Sequence, residues 1–432
     1  MKHILLKILK LILKQLAKLT IWRFQPQVIA ITGSAGKTSA KEAIYAVLKN
    51  YRRVRKSSGN LNNELGIPLT VIGDWTEEQL KLVSRDTPAG ERKFKKLFFW
   101  LKVMFFAKIN FLFLKKSAYP EILILEYAAD RPGDINYLLK IARPYVGVIT
   151  TIGEIPVHVE FFSGPEAVGR EKSKLTEALP PNGFAVLNFD NETVMRMKEQ
   201  TRARVITFGF SEGADIKITN FENYSSGEPV EPLGISFKLE YGGSFVPVIL
   251  KNAFGKAQAY AAAVSACVGL IYDLNLVEII EAILKNYSPA KGRMNLLKGI
   301  KDTYIIDDSY NSSPLSMQEA FETIRELPAK RKIAVLGDML ELGKYSIEAH
   351  EAVGQLVSKI VDILITVGPR AKFIAESARE SGLDKHKILS FDTAMEAGRA
   401  VQDLMKQGDL ILIKASRAVG LERVVEEVAA IV

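Results

Sequence analysis

Apolar and polar positions along the 432-residue chain switch between a helical period and a strand period, and the switches mark out the elements. Residues 1–24 repeat at helical spacing. Leucine and isoleucine fill most of the girth, while Lys7, Lys10, Lys14 and Lys18 fall three and four apart in one narrow charged stripe. Further on, apolar runs predict strands at Val28–Thr32, Ile122–Leu125, Val146–Thr150 and Phe184–Asn188, with helical stretches between them. That alternation implies an α/β domain with a mainly parallel sheet. Alternating patterns at Ile235–Leu239 and Phe245–Leu250 predict an antiparallel addition near its end. From about Pro289 the pattern restarts, with strands near Tyr304–Ile306, Ile333–Leu336, Ile363–Val367 and Leu410–Lys414. The expected organisation is a basic amphipathic helix over 1–26, a central α/β domain over 27–288 and a smaller Rossmann-like α/β domain over 289–432. An apolar and basic insertion at about 75–118 interrupts the central domain.

Regular lysines make residues 1–24 a poor membrane span, and no small-residue cleavage site follows as a signal peptide requires. An interfacial helix is expected, with a helix packed on the protein's own surface as the alternative. Phe94–Leu114 is dense in aromatics, flanked by Lys95, Lys96, Lys115 and Lys116 and interrupted by Lys102 and Lys108. This is the composition of a membrane-interface segment, and it carries more phenyl and aliphatic surface than nucleic-acid binders use. A buried helix or helical hairpin is the alternative. Charge sharpens the contrast. Through Ala118 the chain has 23 Lys and Arg against 7 Asp and Glu, whereas the rest is net acidic. A basic first quarter on an acidic body points to an anionic surface as partner. The single cysteine, Cys267, excludes an intramolecular disulfide, and a reducing, cytoplasmic compartment is the simplest expectation.

The stretch Val28-Ile-Ala-Ile-Thr-Gly33-Ser-Ala-Gly36-Lys37-Thr38-Ser39 runs from a predicted strand through a glycine turn into a predicted helix. Backbone N–H groups at such a turn and the positive helix end cradle a phosphate chain. Lys37 adds a point charge for the terminal phosphates, and the Thr38 hydroxyl can ligate Mg²⁺. Ile31 stands where the common pattern has its first glycine, so the loop is a short variant that begins at Gly33. Gly33, Ser34, Gly36, Lys37, Thr38 and Ser39 are the expected nucleotide-binding residues.

Downstream lie Lys56-Ser-Ser-Gly-Asn-Leu-Asn62-Asn63-Glu-Leu-Gly-Ile-Pro-Leu-Thr70 and Leu125-Glu126-Tyr-Ala-Ala-Asp130-Arg-Pro-Gly-Asp134. Gly292-Arg293-Met294, Asp307-Asp308-Ser-Tyr310-Asn311-Ser-Ser-Pro314 and Ala334-Val-Leu-Gly-Asp338-Met-Leu-Glu-Leu-Gly343 follow. Together with the short phosphate loop, this ordered set resembles the Mur ligase family of ATP-dependent amide-bond-forming enzymes, over roughly Val28 to Val432. The resemblance implies a cytoplasmic ligase of cell-wall peptide assembly that uses ATP and Mg²⁺. It also implies a muramoyl-peptide acceptor and an amino-acid or dipeptide donor, D-alanyl-D-alanine in the member matched best. A carboxylate must be activated before an amine can attack it, and the γ-phosphate of ATP supplies an acyl phosphate. A folylpolyglutamate-synthase-like ligase is one alternative. A membrane-associated nucleotide-binding subunit without ligase activity is another.

By the same resemblance, Glu126 and His158 ligate a second Mg²⁺, and Lys172 becomes carbamylated, with Lys174 as the rival position. Arg293 is expected at the ATP phosphates, Asp308 and Asn311 at the nucleotide, and Asn62, Asn63, Lys414 and Ser416 on the substrate side. Two departures stand out. The family's Glu-x-Gly-Ala-Asn reads Glu126-Tyr-Ala-Ala-Asp130, and its adenine-side His-Asn-x-x-Asn falls on Ala257, Gln258 and Ala261. Gln258 alone keeps an amide there. Family members also carry a UDP-sugar-holding domain before the phosphate loop. Only 27 residues precede Val28, so this domain is expected to be lacking and the acceptor to be held differently. A place on the inner face of the membrane, next to a lipid-linked acceptor, is the matching expectation.

Overall fold

The computed structural model describes residues 2–59, 61–83, 93–153, 162, 164–226 and 231–430. Two sheets organise it. The first holds β1 (Gln27–Thr32), β2 (Val54–Lys56), β3 (Ile122–Glu126), β4 (Val146–Ile149), β5 (Phe184–Asn188), β6 (Arg204–Gly209), β7 (Ile216–Ser226), β8 (Glu231–Tyr241) and β9 (Ser244–Lys251). Their order is β2-β3-β1-β4-β5-β6-β7-β8-β9, parallel as far as β7 and antiparallel beyond. The second sheet holds β10 (Asn295–Gly299), β11 (Thr303–Asp308), β12 (Arg331–Gly337), β13 (Ile363–Val367), β14 (Ile388–Phe391) and β15 (Asp409–Lys414). It runs β10-β11-β15-β12-β13-β14, with only β10 antiparallel.

The strands read from the sequence are present, and β2, β6, β7, β10 and β14 add to them. Strand β1 shows why the pattern was legible. Ile29 and Ile31 enter the core under helices Lys37–Leu48 and Lys256–Ile271, while Val28 and Ala30 enter the core on the opposite face. A strand covered on both faces reads as an unbroken apolar run. Because β1 pairs with β3 on one side and β4 on the other, the chain reverses its direction of advance at β1. In open parallel sheets the crevice beyond the strand ends at such a point is where ligands bind.

The N-terminal helix, Lys2–Phe24, packs through Leu13, Ala17, Thr20 and Phe24, with the Phe24 ring stacked 4.3 Å from that of Tyr119. Its neighbours are helices Gly66–Ile72 and Lys93–Phe113, and the latter contributes Phe99, Val103 and Ala107 to a shared core. Both basic, apolar segments of the sequence are therefore single helices lying on the protein. No helix among the described residues is long and apolar enough to cross a membrane.

Candidate active site

The turn after β1 is fixed by two glycines and two threonines. A Cβ on Gly33, at φ +150°, would sit 1.9 Å from the Thr150 hydroxyl, so only glycine fits there. Gly36, at φ +78°, sits in the left-handed region and forms the N-cap of helix Lys37–Leu48 without side-chain capping. Thr150, just past β4, donates to the Ala35 carbonyl at 2.5 Å, and the Ser34 N–H donates to the Thr151 carbonyl at 2.6 Å. The first helical N–H groups therefore stay available to an anion. The Lys37 ammonium lies 2.8 Å from the Gly33 carbonyl. Burial lowers its pKa, Glu126 and Asp130 act against this, and nearby Arg293 reinforces it.

Register places Glu126 beside this turn, since Ile31 pairs with Glu126 at the carboxyl end of β3. The Glu126 carboxylate is buried. It accepts from the Thr38 hydroxyl at 3.2 Å and from the Asn62 amide at 3.3 Å, with the Lys41 ammonium 3.6 Å away. Burial alone would raise its pKa, but Lys41, Lys37, Asn62 and Arg293 outweigh that and hold the carboxyl below its ordinary value. Lys41 was not read from the sequence. It follows Lys37 by one helical turn, and only the β1–β3 pairing brings Glu126 to it.

Asn63 plays a different local part from Asn62. Its side chain accepts from the N–H groups of Leu65 and Gly66 and opens helix Gly66–Ile72. Ser39 is buried on the loop helix, facing the Tyr287 hydroxyl.

Helix Pro165–Glu177 separates the two rival lysines. Lys174 is partly exposed and paired with Glu171. Lys172 is buried, with no hydrogen bond or ion pair to any described residue. Desolvation, aided by Lys37 and opposed by Asp130, Glu171 and Asp134, lowers its pKa to about 7. His158 lies outside the described residues. Among those residues no cluster of three His, Cys, Asp or Glu side chains is placed to hold a metal.

The second sheet supplies Arg293. Its guanidinium lies over the Tyr310 ring at 4.4 Å, and its Nε is buried without a hydrogen-bond partner among the described residues. Gln258 ties this residue down: its amide donates to the Arg293 carbonyl at 2.9 Å and accepts from the Tyr287 hydroxyl. The amide expected to meet the base is thus engaged in joining the two sheets. Asp308 and Lys414 form a buried ion pair at 2.5 Å, and Lys414 also donates to the Asn311 carbonyl at 2.9 Å. Burial raises the Asp308 pKa although Lys414 acts against it. The Asn311 residue is exposed, and the Ser416 hydroxyl accepts from the Leu340 N–H at 2.9 Å. Asp338, within the most recognisable stretch of this half, accepts from the N–H groups of Arg370 and Ala371 and so fixes the start of a helix.

A cavity lies beside the phosphate loop, where the two halves meet. Its lining includes Ala35, Gly36, Phe208, Ala257, Tyr260 and Glu319. Burial pushes the Glu319 carboxyl up to about 7. Nothing local in the chain marks Tyr260 or Glu319, which meet only through packing of the two halves. The arrangement offers a phosphate cradle, a cation above it, an ionised carboxylate beside a hydroxyl, and an unpaired guanidinium arriving from the second sheet.

The chain is similar to known proteins along most of its length. Residues 107–268 match the model of the Mur ligase middle domain, and residues 292–417 match that of the Mur ligase glutamate ligase domain. A UDP-N-acetylmuramoyl-tripeptide–D-alanyl-D-alanine ligase of Bacillus subtilis is 28% identical over 418 residues, 96% of this chain and 78% of that protein. The ligase of the same name from Synechocystis is 29% identical over 94% of this chain and 76% of its own length. A crystal structure of MurF ligase from Thermotoga maritima in complex with ADP aligns with TM-score 0.74 and 29% identity. That alignment covers 96% of this chain and 82% of that one.

Proposed function

Since the chain belongs to the Mur ligase family and is an ATP-dependent ligase, we propose that it joins D-alanyl-D-alanine to a muramoyl tripeptide in peptidoglycan synthesis. The observation that carries this reading is the convergence at the end of β1. There the phosphate loop, the ionised Glu126 and the unpaired Arg293 Nε face one space. Residues 27–288 are the ATP-binding domain in this reading, and 289–432 the domain that closes on the nucleotide.

Mg²⁺ suits the donor set, because Thr38 and Glu126 offer hard oxygens 3.2 Å apart. Bound there, the ion would neutralise charge on the transferring phosphoryl group. Lys37 and Arg293 stabilise the same charge from the protein side. Lys172, whose pKa burial lowers to about 7, can add CO₂ at its neutral amine and lose a proton. The carboxylate so formed, together with His158, would hold a second ion. Gln258 acts here by holding Arg293, and Asn62 by orienting Glu126. Asn63 shapes the turn between Asn62 and helix Gly66–Ile72. Asp308, Asn311, Lys414 and Ser416 line the side from which the nucleotide and the amine are met.

In the reaction, an acceptor carboxylate oxygen attacks the γ-phosphorus and ADP leaves. The donor amine then attacks the acyl carbon, loses a proton, and expels inorganic phosphate. A peripheral station on the inner face of the membrane belongs to the same reading. The test is ADP release from ATP and Mg²⁺ with the muramoyl tripeptide, with and without D-alanyl-D-alanine. Release that needs both, with a product equal in mass to the two joined less water, is expected. Release indifferent to any amine would overturn the proposal in favour of a nucleotide-binding subunit. Release driven by glutamate and a folate would favour the folylpolyglutamate alternative.

A further inference from the structure

The surface around the N-terminal helix departs from what its lysine stripe predicts. An interfacial helix lying alone on a membrane would turn that stripe to water, yet here part of it faces the protein. Lys10 pairs with Glu64, and the Lys14 ammonium lies 4.3 Å from the Tyr137 ring. The apolar stripe faces out instead. Of the twenty-six large apolar side chains exposed among the described residues, eight are on helix Lys2–Phe24 and nine on helix Lys93–Phe113. Several are almost bare: Trp22 is 70% exposed, Phe98 72% and Phe105 66%. The two helices pack against each other, and Arg23 joins them by donating to the Leu114 carbonyl at 3.3 Å. Isolated apolar residues on a surface need no explanation, but two neighbouring stripes do.

We infer that the outward faces of helices Lys2–Phe24 and Lys93–Phe113 form one docking surface for an anionic lipid bilayer. Charge selects this occupant over others. Neither helix contains a single Asp or Glu, while they carry six and five Lys and Arg respectively. A second copy of the chain meeting this face would bring the same positive charge against it. An anionic bilayer offers acidic headgroups for the lysines and hydrocarbon for the rings, the combination that holds a helix in the plane of the interface. Neither helix is apolar enough to cross, so the contact is lateral. The surface is independent of which amine the enzyme joins. It also adjoins the active site: the Lys10–Glu64 pair ties the first helix to the loop whose Asn62 orients Glu126.

Flotation of the full chain with vesicles tests this. Vesicles containing phosphatidylglycerol are compared with pure phosphatidylcholine, at low and high salt, for the wild type and for Phe98→Glu/Phe105→Glu. Both phenyl groups project away from the core, so the double variant keeps the wild-type melting temperature and ADP release. The wild type should float with the anionic vesicles at low salt. Binding should fall at least about tenfold on neutral vesicles, and about as much in the double variant, which loses two inserted rings and gains two charges. Wild-type protein that stays unbound to anionic vesicles at low salt overturns the inference, and so does a double variant that floats equally well. A wild-type dimer in sedimentation, dissolved by the same substitutions in the absence of lipid binding, would make a second copy the occupant.

Discussion

Replacing Lys172 with methionine should make the protein more stable and, at the same time, inactive. Methionine keeps most of the length and removes the charge. The native pKa of about 7 lies below the ordinary lysine value of 10.5, so folding disfavours the charged amine. The sign follows from linkage. The penalty is absent above pH 10.5, grows as pH falls toward 7, and is complete below 7. At 1.36 kcal/mol per pH unit of difference, its ceiling is roughly 5 kcal/mol. Between pH 9 and pH 6 the advantage of Lys172→Met over the wild type should therefore widen by up to about 3 kcal/mol. Urea unfolding of both proteins at the two pH values measures it, in metal-free buffer stripped of CO₂. At constant Mg²⁺, added bicarbonate should stabilise the wild type and leave Lys172→Met unchanged, because only a lysine can be carbamylated. Equal stability differences at pH 6 and pH 9 would refute the account of a desolvated, unpaired ammonium. Full ligase activity in the variant would refute the metal-ligand role.

Lys37→Ala should keep the circular dichroism of the wild type and lower ADP release by at least about a hundredfold, since the lysine stabilises charge that grows in phosphoryl transfer. Gln258→Ala should raise the KM for ATP about tenfold and cost about 1–2 kcal/mol in urea unfolding, because it frees the Arg293 backbone and removes the acceptor of the buried Tyr287 hydroxyl. Asp338→Ala should cost about 1–2 kcal/mol of stability and leave the KM for ATP unchanged, because the hydrogen bonds of its carboxylate among the described residues go to the helix start at Arg370 and Ala371.

Legibility followed locality. The phosphate loop could be read because strand, glycines and helix are consecutive, and Glu126 because it ends an apolar run. Lys41 could not, since its meeting with Glu126 depends on two strands whose paired residues are 95 positions apart, as Ile31 and Glu126 are. Lys172 and Lys174 differ by two positions on one helix, and only the packing of that helix decides which is buried. Strand β2 escaped notice because it is three residues long and two of them are charged. The amide of Gln258 looked free because Arg293, which engages it, comes from the other half of the chain. Asp338 shows the converse. Its stretch was among the clearest family signals, yet its carboxylate holds backbone together. The two basic helices were recognised by composition, but which stripe faces outward was set by Leu13, Ala17, Phe99 and Val103 entering the core.

The central claim is that ATP activates the acceptor carboxylate as an acyl phosphate, and oxygen labelling tests it most directly. Muramoyl tripeptide carrying ¹⁸O in its terminal carboxylate is ligated to D-alanyl-D-alanine with unlabelled ATP, and the released phosphate is analysed by mass spectrometry. Transfer through an acyl phosphate predicts one ¹⁸O in each phosphate released, because the bridging oxygen leaves with phosphorus when the amine attacks. Unlabelled phosphate accompanying true amide product would contradict the account.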